Sequence, residues 1–567
     1  MSQNAPEALE PVEYHRKIWY LILEYMENST IHGLKYIFPS VQEQKEKDRE
    51  RRKSLQQKDC ILNDCFSFKR LFWVIIFLLS ATLCIMLINK VWTKYQNSPV
   101  IVSFSEKYVP VEKVPFPSIT LCPNVKINPK YNFTEEYIKY FQNATFRNDY
   151  KNHNETIKRA MEAVQDISLV CPTRTIQGIF NTLNYTIGRD FTDGTIIENM
   201  EKVHTDMHEK LRWLDKLSLR LNYATILTEE GHCINKNVLA ATEIFREENL
   251  RPNYPLSNAA QRSKGWDLVK GYTNGSANVY PLRTTGEASR IVLFLKLPKT
   301  DKYDFCNAGL TGFNIYLQHP ADHPQALRHF YVASPGKTTS LALKFQSISA
   351  SSDLHKFGVD VRKCYLPGER YLKYFKIYTP NNCRLECLSN YTYETCGCVS
   401  FYMPHGENQS ICTTEKKECT IKARAIYRAE IFEAYSNDLP DKCSCLLTCE
   451  EILYDAEVYE SPFDIEKLAS HLRATGFQNK MDLEEYDYFR LDIYFKESSF
   501  LSIQRSELYT ISELFGNIGG LLGLCLGVSF FSILEILYYV IIGFKVTKDE
   551  VEVTIDEKYK SHDIEIK

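Results

Sequence analysis

Charge of one sign is what this 567-residue chain lacks: 68 basic residues stand against 71 acidic ones, a net charge of −3 at pH 7. That balance excludes the basic field a nucleic-acid partner requires. Also missing are a nucleophile elbow, a His-Glu-x-x-His pair and a Gly-rich phosphate loop, and the carboxylates are scattered along the chain. No enzyme is expected, and no catalytic residue, metal site or cofactor is assigned. The first 20 residues carry several charges and no apolar core followed by a small-residue cleavage site, so a later segment is expected to drive membrane insertion. Internal repeats and low-complexity segments are absent. Long apolar runs are scarce, and a mean hydropathy of −0.31 describes a mostly water-soluble mass in which any membrane part is a minority.

Two such runs exist. Leu71 to Ile88 is 18 residues without a charge, flanked by Lys69-Arg70 and Lys90. That length suits a spanning helix; a buried core helix is the competing reading. The second run, 516–544, holds one charge, Glu535, between Ile518 and Phe544, and at about 1.5 Å per residue a helix of that length exceeds a hydrocarbon core of roughly 30 Å. Basic residues before the first run and Lys545 and Lys548 after the second mark both termini as cytoplasmic. The expected order is a cytoplasmic segment 1–70, a span 71–88, an extracellular domain 89–515, a second span 516–544 and a cytoplasmic tail 545–567. The charged run KEKDRERRK (45–53) reads as a solvated face.

Two features test this topology. Seven Asn-x-Ser/Thr sequons fall in 89–515, at Asn132, Asn143, Asn154, Asn184, Asn274, Asn390 and Asn408, as glycosylated surface loops would have. An eighth, Asn28, is expected to stay unmodified. Of 18 cysteines, 14 lie in the same segment, an even number that reads as seven disulfides in an oxidising compartment. Ten crowd into 364–449. A zinc module competes, because C-x-C and C-x3-C spacings bind metal, but no histidine stands at ligand spacing among them. Strands are expected at 290–297, 340–345 and 490–496, where Leu491, Ile493 and Phe495 alternate with polar neighbours. Helix is expected on the face Phe133, Tyr137, Ile138, Phe141 and over 195–221. The domain is therefore mixed α and β.

Within the second run Gly519, Gly523 and Gly527 recur every fourth residue, a smooth stripe for close helix packing. Gly527-Val528-Ser529 follows halfway along. A helix broken there would turn unpaired carbonyls inward, which is tolerated at membrane depth only against water or protein, so a pore constriction is one reading. Glu535, two turns on, would face an aqueous path or a cation. The other reading is an anchor helix with a packing face and a snorkelling acid.

Ser29 to Gly33 (STIHG), Phe116 to Cys122 (FPSITLC), the ten-cysteine block and Gly519 to Glu535 together make the chain resemble the degenerin/epithelial sodium channel family over nearly its whole length. Residues 382–404 and 526–539 look most like its insect pickpocket branch. The resemblance implies an α+β membrane protein, a trimer whose subunits each have two transmembrane helices and a large disulfide-rich extracellular domain with β-rich palm and knuckle, helical finger and helical thumb. It implies nested thumb bridges Cys364–Cys449, Cys383–Cys445, Cys387–Cys443, Cys396–Cys419 and Cys398–Cys412, and outer pairs Cys122–Cys306 and Cys171–Cys233. It implies a selectivity filter at Gly527, Val528 and Ser529, a gate and blocker region at Gly516, Asn517, Gly520 and Gly523, and a lower pore at His32, Gly33 and Glu535.

The function implied is a sodium-permeable, amiloride-sensitive, voltage-independent plasma-membrane channel, multi-pass, in contact with lipid and built as a homo- or heterotrimer with related subunits. An extracellular ligand is compatible with it. A non-conducting auxiliary subunit or cell-surface receptor is the alternative. Trp92 to Val111 contains no histidine, which argues against proton gating; mechanical, chemical and constitutive stimuli stay open.

Overall fold

The structure, a computed structural model, describes the chain except for residues 1–10, 54–67, 98–99, 129–162, 164, 172–194, 205–222, 253, 255–260, 269, 274–278, 284–289, 300–308, 326–328, 438, 440–441, 475–481, 544 and 546–567. The expected helical face at Phe133 to Phe141, five sequons (Asn132, Asn143, Asn154, Asn184 and Asn274), Cys306 and most of 205–221 fall outside the described residues. In chain order the longer helices are α1 Pro11–Asn28, α2 Val41–Lys53, α3 Phe68–Asn97, α4 Thr195–Val203, α5 Pro380–Cys396, α6 Lys417–Ser436, α7 Ile465–Ala474, α8 Ile511–Leu526 and α9 Phe530–Gly543. The longer strands are β1 Val100–Pro110, β2 Ser118–Pro123, β3 Tyr223–Thr228, β4 Gly231–Lys236, β5 Ile291–Pro298, β6 Phe313–Gln318, β7 Tyr331–Ala333, β8 Lys337–Ala350, β9 Glu451–Pro462, β10 Tyr486–Phe495 and β11 Ser499–Glu507. They divide into a helical unit, residues 1–101 with 507–567, and a sheet unit, residues 102–506.

In the sheet unit the fourteen-residue strand β8 organises a six-stranded sheet in the order β1-β11-β8-β10-β5, with β9 also on β8. Along one edge β9 runs antiparallel to it over Lys337 to Ile348. The other edge is divided: β10 pairs parallel at Thr338 to Leu343 and β11 parallel at Ile348 to Ala350. Ile291, Leu293, Leu295 and Leu297 of β5 and Phe489, Leu491, Ile493 and Phe495 of β10 point into one core, as period-two alternation requires. Asp492 breaks the pattern, being a buried acid. Arg490 donates to both its oxygens at 3.0 and 3.2 Å, and Arg290 stands 3.5 Å away, so the charge is compensated.

A second sheet, ordered β3-β4-β2-β6-β7, is antiparallel throughout. Its register corrects an expectation. The β2–β4 ladder matches Thr120 with Asn235 and Leu121 with Ile234, so Cys122 falls opposite Cys233, and these two are bonded with Cα atoms 4.5 Å apart. That spacing is the one across a closely approached antiparallel pair. Cys122 is therefore not bonded to Cys306, nor Cys171 to Cys233. Cys171 is in a disulfide whose partner lies outside the described residues.

The antiparallel helices α5 and α6 carry four cysteines of the block, Cys383, Cys387 and Cys396 on the first and Cys419 on the second. Thr379 caps the α5 amino end through the Asn382 N–H, Pro380 follows at the first turn, and Gly397 ends the helix at φ 73°. The structure bonds Cys364 to Cys449, Cys383 to Cys445, Cys387 to Cys443, Cys396 to Cys419 and Cys398 to Cys412, over separations from 85 residues down to 14. A loop of 14 residues closed alone is worth about 3 kcal/mol, and nesting makes such terms overlap. Asn390 on α5 and Asn408 are exposed.

In the helical unit α3 is longer than the expected 71–88, and 28 of its residues, Arg70–Asn97, make a helix apolar enough to cross a membrane. Helices α8 and α9 pass the same test only as a pair, bent by 77° at residues 527–529. The charged 45–53 run is helical. Glu43 on α2 receives a two-bond clamp from Arg70 at 2.7 and 2.8 Å, and Tyr20 on α1 donates to Asp48 at 2.6 Å. The apolar patch 18–26 turns towards α9, where Tyr25 meets Tyr539 with ring centres 5.4 Å apart and Leu23 is fully buried.

Gly312 opens β6 at φ +110°, and a methyl there would run into the Ala333 carbonyl. Gly312→Ala should cost at least about 2 kcal/mol. Gly358→Ala should be near neutral, since Gly358 has φ −67° and open space around it. Thermal unfolding of the two purified variants checks the difference.

Candidate pore constriction

Helix α8 begins with a capping box. The Thr510 hydroxyl accepts from the Glu513 N–H at 3.2 Å, and Glu513 accepts from the Thr510 N–H at 2.8 Å. One side of it meets α3: Leu514 is buried, Cys84 donates to the Leu521 carbonyl at 3.8 Å, and the Ser80 hydroxyl donates to the Cys525 carbonyl at 2.6 Å. Residues 514, 521 and 525 recur at helical spacing, so this is a continuous seam. The glycines lie elsewhere. A methyl added at Gly516, Gly519 or Gly520 would meet nothing within 4 Å, and Gly516, Asn517, Gly520 and Gly523 are all exposed. The glycine stripe thus has no helix partner among the described residues of its own chain, because α8 spends its opposite side on α3.

The helix ends at Gly527. There φ is +70°, and the N–H groups of Gly527 and Val528 donate back to Gly523 at 2.9 Å and Leu522 at 3.3 Å. The next helix starts at once with a reciprocal cap. The Ser532 N–H reaches the Ser529 hydroxyl at 3.4 Å, and the Ser529 N–H reaches the Ser532 hydroxyl at 3.0 Å. The Ser529 side chain is therefore engaged as a helix cap, a role its position after a glycine did not announce. A Ser-x-x-Ser spacing just past the break was the available signal.

Against this break lies the Ser29–Gly33 loop. The His32 N–H donates to the Leu526 carbonyl at 2.9 Å, taking one of the carbonyls the helix end leaves free. The His32 ring occupies the space a side chain on Gly527 would need, so glycine is required there by backbone angle and by room alike. Gly33, at φ +94°, lies beside Phe77. Thr30 completes the junction: its hydroxyl meets Ser532 at 2.7 Å, and its hydroxyl and N–H both donate to Glu535, at 3.1 and 3.3 Å. Glu535 thus accepts two donors from Thr30 and holds the loop. The sequence brings His32, Gly33, Gly527, Ser529 and Glu535 to one place, and Thr30, Ser80 and Ser532 join them unannounced, their partners lying about 450 to 500 residues away.

Gly527→Ala should push His32 off the break and loosen the loop, so trypsin should cut at Lys35 faster in the detergent-purified variant. Removing the ring as well, in the double variant with His32→Ala, should relieve the collision and slow that cut. Digestion time courses read by mass spectrometry make the comparison.

Comparison with known proteins gives the chain its family. A family model described as amiloride-sensitive sodium channel matches residues 25–539, from α1 to the middle of α9. Pickpocket protein 28 of Drosophila melanogaster is 24% identical over 537 residues, covering 92% of this chain and 78% of its own length. The sodium channel protein Nach of the same fly is 22% identical over 547 residues, 93% and 88% of the two chains. Acid-sensing ion channel 1C of Danio rerio is 29% identical over 380 residues, 64% and 65%. The matched span takes in the STIHG loop, the cysteine ladder and the broken helix alike, and the chain belongs to the amiloride-sensitive sodium channel family, the degenerin/epithelial sodium channel group, with pickpocket-like relatives.

Proposed function

We propose that this cation-channel subunit conducts sodium across the plasma membrane as a voltage-independent, amiloride-sensitive trimer, homomeric or built with related subunits. The observation that carries this is the break at residues 527–529, stoppered by the His32 ring and exposing an unpartnered glycine face on α8. Three copies of that face, turned to a common axis, would put Gly516, Asn517, Gly520 and Gly523 along an outer path and the Gly527, Val528 and Ser529 backbone at its narrowest ring. Carbonyl rings replace the water around a small cation, and ring width and field strength set the preference for Na+ over K+. The engaged Ser529 hydroxyl makes the ring primarily a backbone one. The His32–Gly33 loop supports it from the cytoplasmic side, with Glu535 as its anchor.

In this reading 1–70 and 545–567 are cytoplasmic, 71–88 and 516–544 cross the membrane within lipid, and 89–515 is extracellular. The bridged helices α5 and α6 form the thumb, and the sheet around β8 the palm. A cavity of about 750 Å³ opens between β8, β9 and the start of α5, lined by Trp266, Tyr331, Tyr365, Tyr378 and Tyr454 among others. It is the place this reading assigns to an extracellular ligand. Of the seven glycosylation positions in this reading, Asn390 and Asn408 are the two among the described residues.

Expressed alone in oocytes, the chain should give an inward current that follows external Na+ and is blocked by amiloride. A bulky residue at Ser529 should shift the Na+/K+ permeability ratio. A chain that reaches the surface and stays silent, conducting only beside a related subunit, would be auxiliary, and unchanged permeability ratios would remove the filter assignment.

A further inference from the structure

In the sheet unit, well apart in sequence from the broken helix, two histidines meet with no function attached to them. His204 ends α4 and His232 lies on β4, next to the Cys122–Cys233 bond; their ring centres are 4.8 Å apart and the planes tilt by 38°. Both backbones are fixed. His204 makes an antiparallel bridge to Ile127, just past β2, and donates its N–H to Met200 at 3.1 Å. His232 is held in the β3–β4 ladder opposite Leu227.

The proton positions follow from the partners. The Nδ1 of His204 lies 2.5 Å from the Glu201 carbonyl, which only accepts, so Nδ1 is the donor and Nε2 is the nitrogen left to face a ligand. An imidazole oriented by a backbone carbonyl in this manner is the usual arrangement of a metal-binding histidine. The Nδ1 and Nε2 of His232 are both buried and both without a partner, although a neutral imidazole needs one donor and one acceptor satisfied.

The surroundings point the same way. The two rings border a cavity of about 10 Å³, room for one water-sized body, shared with Met200, Lys126 and Glu230. Glu230 is not available: it accepts from Lys126 at 2.7 Å, from Asn314 at 3.0 and 3.1 Å, and from the Tyr316 hydroxyl. That pairing also neutralises Lys126, which would otherwise repel a cation. What remains is two imidazole nitrogens beside a thioether-bearing side chain. Such a nitrogen-rich set suits late first-row dications and ill suits Ca2+ or Mg2+, which take oxygen ligands.

We propose that His204 and His232 form a two-imidazole site for a borderline transition-metal dication, Zn2+ or Cu2+, completed by water. Bound there, the ion clasps the end of α4 to the β3–β4 hairpin, beside the Cys122–Cys233 bond.

The test uses the full chain purified in detergent without a polyhistidine tag, loaded with one equivalent of Cu2+ and read by electron paramagnetic resonance. Two-nitrogen superhyperfine structure is expected in the wild type. It should fall to one nitrogen in His204→Gln and in His232→Gln, with copper affinity at least about tenfold weaker in each. His355→Gln should change neither. Equal melting temperatures in excess chelator establish that the variants fold. An unaltered spectrum in both variants, or a wild type that binds no stoichiometric copper, overturns the proposal. Because no current is measured, the result is independent of whether the chain conducts.

Discussion

A histidine ring where a glycine side chain would be is the constraint on which the membrane-type unit depends. Gly527 turns left-handed, α8 ends, and its terminal carbonyls would be stranded in an apolar environment unless something polar arrived. The Ser29–Gly33 loop is that arrival: one N–H goes to Leu526, one hydroxyl to Ser532, and two donors go to Glu535. An unpaired carboxylate at that depth would be costly, and here the loop supplies its hydrogen bonds. Break, loop and acid are therefore one device.

The parts of the fold that were legible in the sequence are those whose signal is local. Alternation along β5 and β10, the two apolar runs, and a break where small residues interrupt the second run all follow from neighbours a few positions apart. What was not legible depends on register or distance. The spacing of Cys122, Cys171, Cys233 and Cys306 leaves their pairing open, and it is the one-residue alignment of β2 with β4 that sets Cys122 against Cys233. β8 showed only its apolar middle, 340–345, while its full fourteen residues rest on three partner strands.

At the site the same division holds. Glycine at 527 and the small residue at 529 were readable as a break, but the use of the Ser529 hydroxyl as a cap depends on Ser532. Glu535 was readable as an acid in need of a partner, and nothing near it in sequence pointed to Thr30. The hydrogen bonds add partners that residue type alone does not name, Ser532 for Ser529 and Thr30 for Glu535.

The seam between α3 and α8 has a consequence for how the chain is made. The Ser80 hydroxyl and the carbonyl it serves are 445 residues apart. At translation speeds of about 5 to 20 residues per second, α3 must wait roughly 20 to 90 s after emerging before its mate exists. During that interval a lone apolar helix has only lipid, or a holding factor, for company. Biogenesis of this subunit is thus exposed to capture by the wrong neighbour at α3.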